Sequence, residues 1–274
     1  MPAGRRAPPE VVRAFVSDLD GTLLRSDGSL SSVSLATVRR LRDVDVPFVV
    51  ATSRTPRAIS RIAGHEVFGT IVCANGAIVW NAELDQVLAQ TGFKAAELIA
   101  SLGRLGTLVP DAAIALLSAM TMFLDERYLA QRPKKGLAGA VLAPSLVQVA
   151  NEHPIAAVAV RHPRLAGDQL RTPVAAAFAG VGEATFAGIR AVDVFPSGVT
   201  KLAAVNRLLT DAGRPVESAV VFGDMPNDLC LFACSGWACA VANAHPLVLE
   251  AADEIVPTND DDGVARTIER LLPA

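Results

Sequence analysis

The stretch VVRAFVSDLDGTLL, which runs from Val11 to Leu24, decides the fold because an apolar run leads directly into two acidic residues and a glycine. Val11–Ser17 is rich in β-branched and apolar residues, which predicts a buried strand. Asp18 and Asp20 follow two residues apart, a spacing that can direct both carboxylates toward one opening. Since ligands of α/β sheets bind beyond the carboxyl ends of the strands, these two acids are the first candidates for a functional site.

Strand and helix patterns alternate in two separate parts of the chain, which predicts an α/β fold with a parallel sheet. A length of 274 residues favours two domains or one domain with a large insertion. We predict a discontinuous core of residues 10–80 and 192–274, interrupted by an inserted α+β domain of residues 81–191. The predicted strands are Val11–Ser17, Val46–Ala51, Thr70–Cys73, Ile155–Val160, Val192–Phe195, Ala219–Phe222, Trp237–Val241 and Glu254–Val256. The predicted helices are Ser34–Arg42, Lys94–Leu102, Thr200–Ala212, Asn227–Cys234, Pro246–Ala252 and Gly263–Leu272.

The composition excludes several classes of protein. Hydrophobic residues make up 51% of the chain, yet no run approaches the roughly 18 apolar residues of a membrane span. The net charge is −3, and there is no basic stripe apart from short pairs such as Arg5-Arg6 and Lys134-Lys135, so a nucleic-acid partner is not expected. MPAGRRAPPE at the start lacks the apolar stretch of a signal peptide and is interpreted as a loose leader. We expect a cytoplasmic enzyme, monomeric or homodimeric, with no membrane partner.

Two further strand ends carry groups that suit a phosphate. Thr52-Ser53-Arg54 offers hydroxyl and backbone N–H donors at a predicted helix start, which is a favourable place for an anion. Lys201 lies in the first turn of a predicted helix, where a cation opposes the helix dipole and gains nothing locally. Its position is explained if an anion is held there.

The stretch GDMPND, from Gly223 to Asp228, places more acids at the end of a strand. Carboxylate oxygens without a nearby histidine favour Mg²⁺ over zinc, and the four cysteines lack the CxxC spacing of a zinc site. Together the strand ends supply a nucleophile, an acid, metal ligands and donors for phosphate oxygens. That combination is what phosphoryl transfer requires.

DLDGTL at Asp18–Leu23, Thr52, Lys201 and GDMPND at Gly223–Asp228, in this order, resemble the four motifs of the haloacid dehalogenase superfamily. The long interval between the second and third motifs, together with NGA from residue 75 and VANA from residue 241, is similar to the Cof-like branch of sugar-phosphate phosphatases. That branch carries a large α/β cap in this interval. The resemblance implies a Rossmann-like parallel-sheet core with an inserted α+β cap for substrate selection.

The resemblance also implies roles for the acids. Asp18 is expected to be the nucleophile and a Mg²⁺ ligand. Asp20 is expected to protonate the leaving alcohol, to activate the water that hydrolyses the aspartyl phosphate, and to ligate the metal through its backbone carbonyl. Asp224 is expected to ligate Mg²⁺ directly, and Gly21 to let the chain turn away from the site.

The remaining motif residues are expected to bind phosphate or to orient other groups. Thr52 and Lys201 bind the transferring phosphoryl oxygens, and Lys201 also holds the nucleophilic carboxylate. Ser53 stands where glycine commonly follows the motif threonine, and its hydroxyl adds a donor for phosphate. Asn227 and Asp228 orient the metal shell and the lysine.

Two other polar features receive simpler interpretations. Asn243 is read as a loop residue rather than a structural residue near the site. The acidic run of residues 260–262 precedes a predicted helix and is interpreted as its cap.

The leading functional prediction is hydrolysis of a small phosphorylated metabolite. A sugar phosphomutase of the same branch uses the same aspartyl phosphate and stays open, as does a non-catalytic sensor of phosphate ligands. Dehalogenation fits less well because that chemistry does not need metal-binding acids at Asp224 and Asp228. The substrate is undecided among hexose phosphates, glycerate-type phosphosugars, and flavin or pyridoxal phosphates.

Overall fold

The computed structural model describes residues 6–131, 137, 139–187 and 190–272. Contacts within the chain define two compact units. The first, called the core domain below, comprises Met1–Arg54, Ala58–Leu88 and Thr200–Ala274. The second, called the insert domain, comprises Thr55–Arg57 and Ala89–Val199.

Strands and helices alternate along most of the described chain. In chain order the strands are β1 (Ala14–Ser17), β2 (Phe48–Ala51), β3 (Thr70–Cys73), β4 (Ile78–Asn81), β5 (Gln86–Gln90), β6 (Ala113–Leu117), β7 (Met122–Leu124), β8 (Ala140–Leu142), β9 (Ala157–Arg161), β10 (Gly182–Phe186), β11 (Ala191–Pro196), β12 (Ala219–Gly223), β13 (Trp237–Val241) and β14 (Glu254–Val256). The helices are α1 (Ser32–Asp43), α2 (Pro56–Ile59), α3 (Ala95–Leu108), α4 (Glu126–Gln131), α5 (Leu146–Glu152), α6 (Asp168–Ala177), α7 (Lys201–Asp211), α8 (Leu229–Cys234), α9 (Pro246–Ala251) and α10 (Gly263–Leu271). None of the helices in the described ranges is long and apolar enough to cross a membrane.

The larger sheet has the strand order β14-β13-β12-β1-β2-β3-β4-β5. From β14 to β3 neighbouring strands are parallel, whereas β4 runs antiparallel to β3. Central β1 is buried along its whole length, as expected for a strand with parallel neighbours on both sides, and the ring of Phe15 stacks on that of Phe222 in β12 at 6.3 Å. The predicted α/β fold with a parallel sheet is confirmed, and the carboxyl ends of β1, β2, β3 and β12 share one edge.

The smaller sheet has the order β10-β11-β9-β6-β7-β8 and is antiparallel except for the parallel pair of β7 and β8. Buried side chains from these strands and from α3, α5 and α6 form one apolar cluster that includes Leu98, Leu116, Val158, Val174 and Val194. Burial of such residues against the sheet is the main stabilising contribution within this domain.

One predicted strand belongs to the other sheet. Val192–Phe195 was assigned to the core, but β11 pairs with β9 and β10 in the smaller sheet, with Val192 opposite Val160. The second core segment therefore begins at Thr200 instead of residue 192, and the first extends to Leu88 instead of residue 80. A local strand pattern identifies a strand but not its pairing partner, which explains the error.

The stretch predicted as a loose leader is held in place at Arg6, the first residue that the structure describes. The Arg6 backbone N–H donates to Oδ1 of Asp253 at 2.8 Å, and its Nε donates to Oδ2 of the same carboxylate at 2.8 Å. A second nitrogen of the guanidinium donates to the carbonyl of Phe232 at 3.2 Å. Residues 1–5 and the Lys134-Lys135 pair lie outside the described residues.

Candidate active site

The first acid of the site is buried at the end of β1. The Asp18 N–H donates to the carbonyl of Phe222 at 3.0 Å, which continues the ladder between β1 and β12. The chain then forms a tight turn over Leu19–Leu23, with Gly21 at φ +76°. A Cβ at this glycine would lie 2.6 Å from Oδ2 of Asp224, so both the conformation and the space require glycine. The turn leaves the Asp20 side chain 48% exposed.

The second pair of acids follows β12. Asp224 accepts a hydrogen bond from the hydroxyl of Thr22 at 2.8 Å. Oδ2 of Asp228 accepts the backbone N–H groups of Asp224 and Met225, each at 3.2 Å. These bonds fix both carboxylates. Thr22 is a site residue that the sequence reasoning did not assign, although it lies inside the DLDGTL motif.

Lys201 joins the two groups of acids. It begins α7, whose N-terminus is capped by the Thr200 hydroxyl, which accepts the N–H of Ala203 at 3.1 Å. The Lys201 ammonium donates to Oδ1 of Asp18 and, at 2.8 Å, to Oδ1 of Asp228. Its side chain is only 1% exposed. Strand ends that are far apart in sequence are thus brought together around one buried cation.

Burial and mutual repulsion perturb the acids of this cluster. Burial raises the pKa of the Asp18 carboxyl to about 8, although Lys201 opposes the shift and Asp228 adds to it. Burial also raises the pKa of Asp224 to about 6, against the hydrogen bond from Thr22. For Lys201, burial favours the neutral amine, but the two neighbouring carboxylates outweigh it and raise its pKa. The cluster therefore holds more acid than one ammonium neutralises, and further positive charge would stabilise it.

The donor set fits a hard divalent cation. Carboxylate oxygens of Asp18, Asp224 and Asp228 lie within 4.8 Å of one another. These ligands are all oxygen atoms, the type preferred by Mg²⁺ and Ca²⁺. Asp228 already binds Lys201 with one oxygen and backbone N–H groups with the other. Asp18 and Asp224 are therefore better suited to contact an ion directly.

The loop after β2 lies beside this cluster. Thr52 is buried at the end of β2, which is the neighbour of β1, and its hydroxyl accepts the backbone N–H of Arg54 at 3.1 Å. Nε of Arg54 donates to Oδ2 of Asp20 at 2.7 Å, and its second nitrogen pairs with Oδ1. Ser53 is exposed. The Arg54–Asp20 pair was not predicted, because no local pattern identifies contacts between side chains on different loops.

Two interpretations of polar residues near the site are corrected. Asn243, read as an ordinary loop residue, donates to the carbonyl of Gly21 at 2.7 Å and accepts the N–H of Asn259 at 3.1 Å, so it joins the turn after β1 to a neighbouring loop. Asp262 occupies the N-cap position of α10 without a side-chain capping bond. Its carboxylate pairs instead with Arg25 at 2.9 Å.

The predicted site residues thus fall into a buried group and an exposed group. Asp18, Lys201, Asp224 and Asp228 meet in one buried cluster, whereas Asp20 lies at its exposed side with Arg54. Asn227 is exposed, and its carbonyl accepts the Cys230 thiol at 3.5 Å.

Comparison with known proteins identifies the family. A model of the haloacid dehalogenase-like hydrolases matches residues 15–268. The chain is 25% identical to 5-amino-6-(5-phospho-D-ribitylamino)uracil phosphatase of Bacillus subtilis, over 93% of this chain and 96% of that protein. It is 22% identical to a phosphoglycolate phosphatase of Methanothrix thermoacetophila, over 96% and 99% of the two chains.

Solved structures show the same fold. A haloacid dehalogenase-like hydrolase from Bacteroides thetaiotaomicron superposes with a TM-score of 0.80 at 24% identity, covering 96% of this chain and 100% of the other. A sugar phosphatase of subclass IIB superposes with a TM-score of 0.77 at 17% identity, covering 95% and 100%. Because the family model matches most of the sequence, this chain belongs to the haloacid dehalogenase-like hydrolase family, as its four motifs predicted.

Proposed function

We propose that this hydrolase is a Mg²⁺-dependent phosphatase that cleaves a small phosphorylated metabolite through an aspartyl phosphate on Asp18. The observation that carries the proposal is the buried cluster in which Lys201 binds both Asp18 and Asp228 beside Asp224. A carboxylate held by a cation at a strand end, among further acids that suit a metal, is arranged for attack on an anionic ester.

In the first half of the reaction, an oxygen of Asp18 attacks phosphorus and the bond from phosphorus to the alcohol oxygen breaks. Asp20 gives its proton to that departing oxygen, so the alcohol leaves neutral. In the second half, Asp20 takes a proton from water, whose oxygen attacks the phosphorus of the aspartyl phosphate. Inorganic phosphate leaves and the Asp18 carboxylate is restored.

The other residues hold charge in place during these steps. The Thr52 hydroxyl and the Lys201 ammonium bind the phosphoryl oxygens, and the exposed Ser53 hydroxyl adds a donor. Asp18, Asp224 and the Asp20 backbone carbonyl would hold Mg²⁺, while Asn227 and Asp228 orient the surrounding groups. When bound, the ion neutralises charge on the phosphoryl group.

The names of the relatives support a proposal for the substrate class. One is named for a phosphorylated ribitylamino-uracil, another for phosphoglycolate, and a structural neighbour is a sugar phosphatase. These names share a phosphate ester on a small polar molecule. We therefore propose a sugar phosphate or a phosphoglycerate-type compound as the substrate.

A panel of phosphorylated metabolites, assayed for phosphate release with and without Mg²⁺, tests the proposal. Asp18→Asn should lower the rate by at least about 10³-fold, because it removes the nucleophile. Asp168→Asn, which changes an exposed acid paired with Arg171, is the matched control and should leave the rate unchanged. Acid-quenched parent enzyme should carry phosphate on Asp18.

Three outcomes would contradict the proposal. An Asp18→Asn variant with the activity of the parent would exclude Asp18 as the nucleophile. Phosphate transfer that requires a sugar bisphosphate would indicate a phosphomutase instead. Tight phosphate-ligand binding by a parent protein that hydrolyses no ester would indicate a sensor.

A further inference from the structure

Asp20 has the most exposed position among the acids of the site. Its side chain is 48% exposed, on the turn that follows β1. An exposed aspartate samples several rotamers, which is unfavourable for a group that must meet one departing oxygen. A neighbouring group is needed to restrict the rotamers of Asp20.

Arg54 provides that restriction. Its guanidinium contacts both oxygens of Asp20, with Nε to Oδ2 at 2.7 Å and the terminal nitrogen to Oδ1. A two-point contact between planar groups determines the orientation as well as the distance. Since both side chains remain partly exposed, with Arg54 at 30%, such a pair contributes little to stability.

The backbone of Arg54 is held by the turn after β3. Its carbonyl accepts the N–H of Ala74 at 2.8 Å, and the Thr52 carbonyl accepts the N–H of Asn75 at 2.9 Å. Ala74 has a φ of +48°, which is unfavourable for a residue with a Cβ, and Asn75 has a φ of +54°, a left-handed conformation that asparagine adopts more readily. The turn formed by Ala74 and the NGA motif that follows it thus fixes the backbone position from which Arg54 reaches Asp20.

The pair also borders open space. Asp20 and Arg54 line a groove of about 570 Å³ within the core domain, together with Asn243 and Arg25. The Asp20 carboxyl can therefore be reached from solvent on this side.

We propose that Arg54 is a positioning residue for proton transfer to the leaving oxygen: its Nε keeps Oδ2 of Asp20 in place, while Oδ1 separates from the terminal nitrogen and carries the proton that the leaving oxygen receives. This role rests on the proposed phosphatase reaction. The proposal also gives the turn after β3 a role, because its backbone N–H groups bind the carbonyls of both Arg54 and Thr52.

The test compares Arg54→Gln with Arg42→Gln, which removes a surface arginine paired with Glu83 at 2.9 Å in the same domain. Each variant is assayed with p-nitrophenyl phosphate, whose phenolate leaves without a proton, and with an alkyl ester such as glycerol 2-phosphate. The quantity compared is kcat/KM, which covers the steps up to departure of the alcohol. Arg54→Gln should lower kcat/KM for the alkyl ester by about 10–100-fold and for the aryl ester by less than about 3-fold.

Two further variants separate positioning from general damage. Arg54→Lys should recover part of the loss, because it restores the charge but not the two-point contact. Adding Arg54→Gln to Asp20→Asn should cause no further loss, because the arginine acts through that carboxylate. Circular dichroism should show unchanged folding for both Arg54 variants.

Equal losses for the two esters, or additive losses in the double variant, would overturn the role of Arg54 while leaving the phosphatase proposal intact. A parent enzyme that hydrolyses neither ester nor any member of the metabolite panel would instead reject the proposed function itself.

Discussion

Replacing Lys201 with methionine tests the electrostatic basis of the site. Methionine keeps most of the side-chain volume but removes the charge that joins Asp18 to Asp228. Because all three side chains are at most 10% exposed, solvent cannot replace the lost ammonium. Removing one partner of a buried ion pair costs about 3–5 kcal/mol, and we expect a loss of this size in the unfolding free energy of the core domain at pH 8.

The loss should depend on pH in a defined direction. The pKa of Asp18 is raised from 3.8 to about 8 in the folded protein, so the folded state holds this proton more tightly than the unfolded chain. Stability contributed in this way is present at low pH and declines as pH rises toward 8. Lys201 opposes the raised pKa, and its removal should therefore raise the pKa of Asp18 further and extend the decline above pH 8, so the deficit is smallest near pH 5, where Asp18 is protonated in both proteins, and largest above pH 8.

Urea unfolding followed by tryptophan fluorescence provides the assay. The chain contains two tryptophans, Trp80 and Trp237, and both are buried in the core domain. Arg42→Met, which breaks a half-exposed pair in the same domain, is the control and should cost less than about 1 kcal/mol. A Lys201→Met protein within about 1 kcal/mol of the parent at pH 8, or a deficit independent of pH, would refute the reasoning.

Other changes test the metal ligands and the glycine positions. Mg²⁺ at a hundredfold excess over its Kd should raise the unfolding free energy by about 2.7 kcal/mol, and Asp224→Asn should abolish this increase in thermal unfolding curves recorded with and without the ion. Gly223→Ala should destabilise the core domain by about 1–3 kcal/mol, because the new Cβ would lie 2.7 Å from that of Asp228. Gly103→Ala, within α3 and with no neighbouring atom inside 4 Å, should stabilise the insert domain by about 0.5–1 kcal/mol in urea unfolding followed by circular dichroism.

Much of the core domain was predictable because its strands are continuous apolar runs that end in polar residues. Thr70–Cys73, Trp237–Val241 and Glu254–Val256 were predicted with the observed bounds. The acids at two strand ends and Lys201 were predicted to meet, since parallel strands place their carboxyl ends at one edge, and the structure brings four of these side chains together.

What could not be predicted depends on pairing between distant segments. The sequence of β11 predicts a strand but is compatible with either domain, and only its pairing with β9 and β10 places it in the smaller sheet. β4 and β5 extend the larger sheet without a distinctive pattern. The Arg54–Asp20 contact and the bond from Thr22 to Asp224 join loops that local propensity treats separately.

The pairing of β1 with β12 has a consequence for biosynthesis. Ala14 is aligned with Ala219, so the central strand emerges from the ribosome about 200 residues before one of its two neighbours, a delay of roughly 10–40 s at 5–20 residues per second. Ala89–Val199, by contrast, is contiguous and is translated in full during that interval. Nascent chains that stall before residue 219 leave one edge of β1 unpaired, and such chains should depend on chaperones to avoid aggregation.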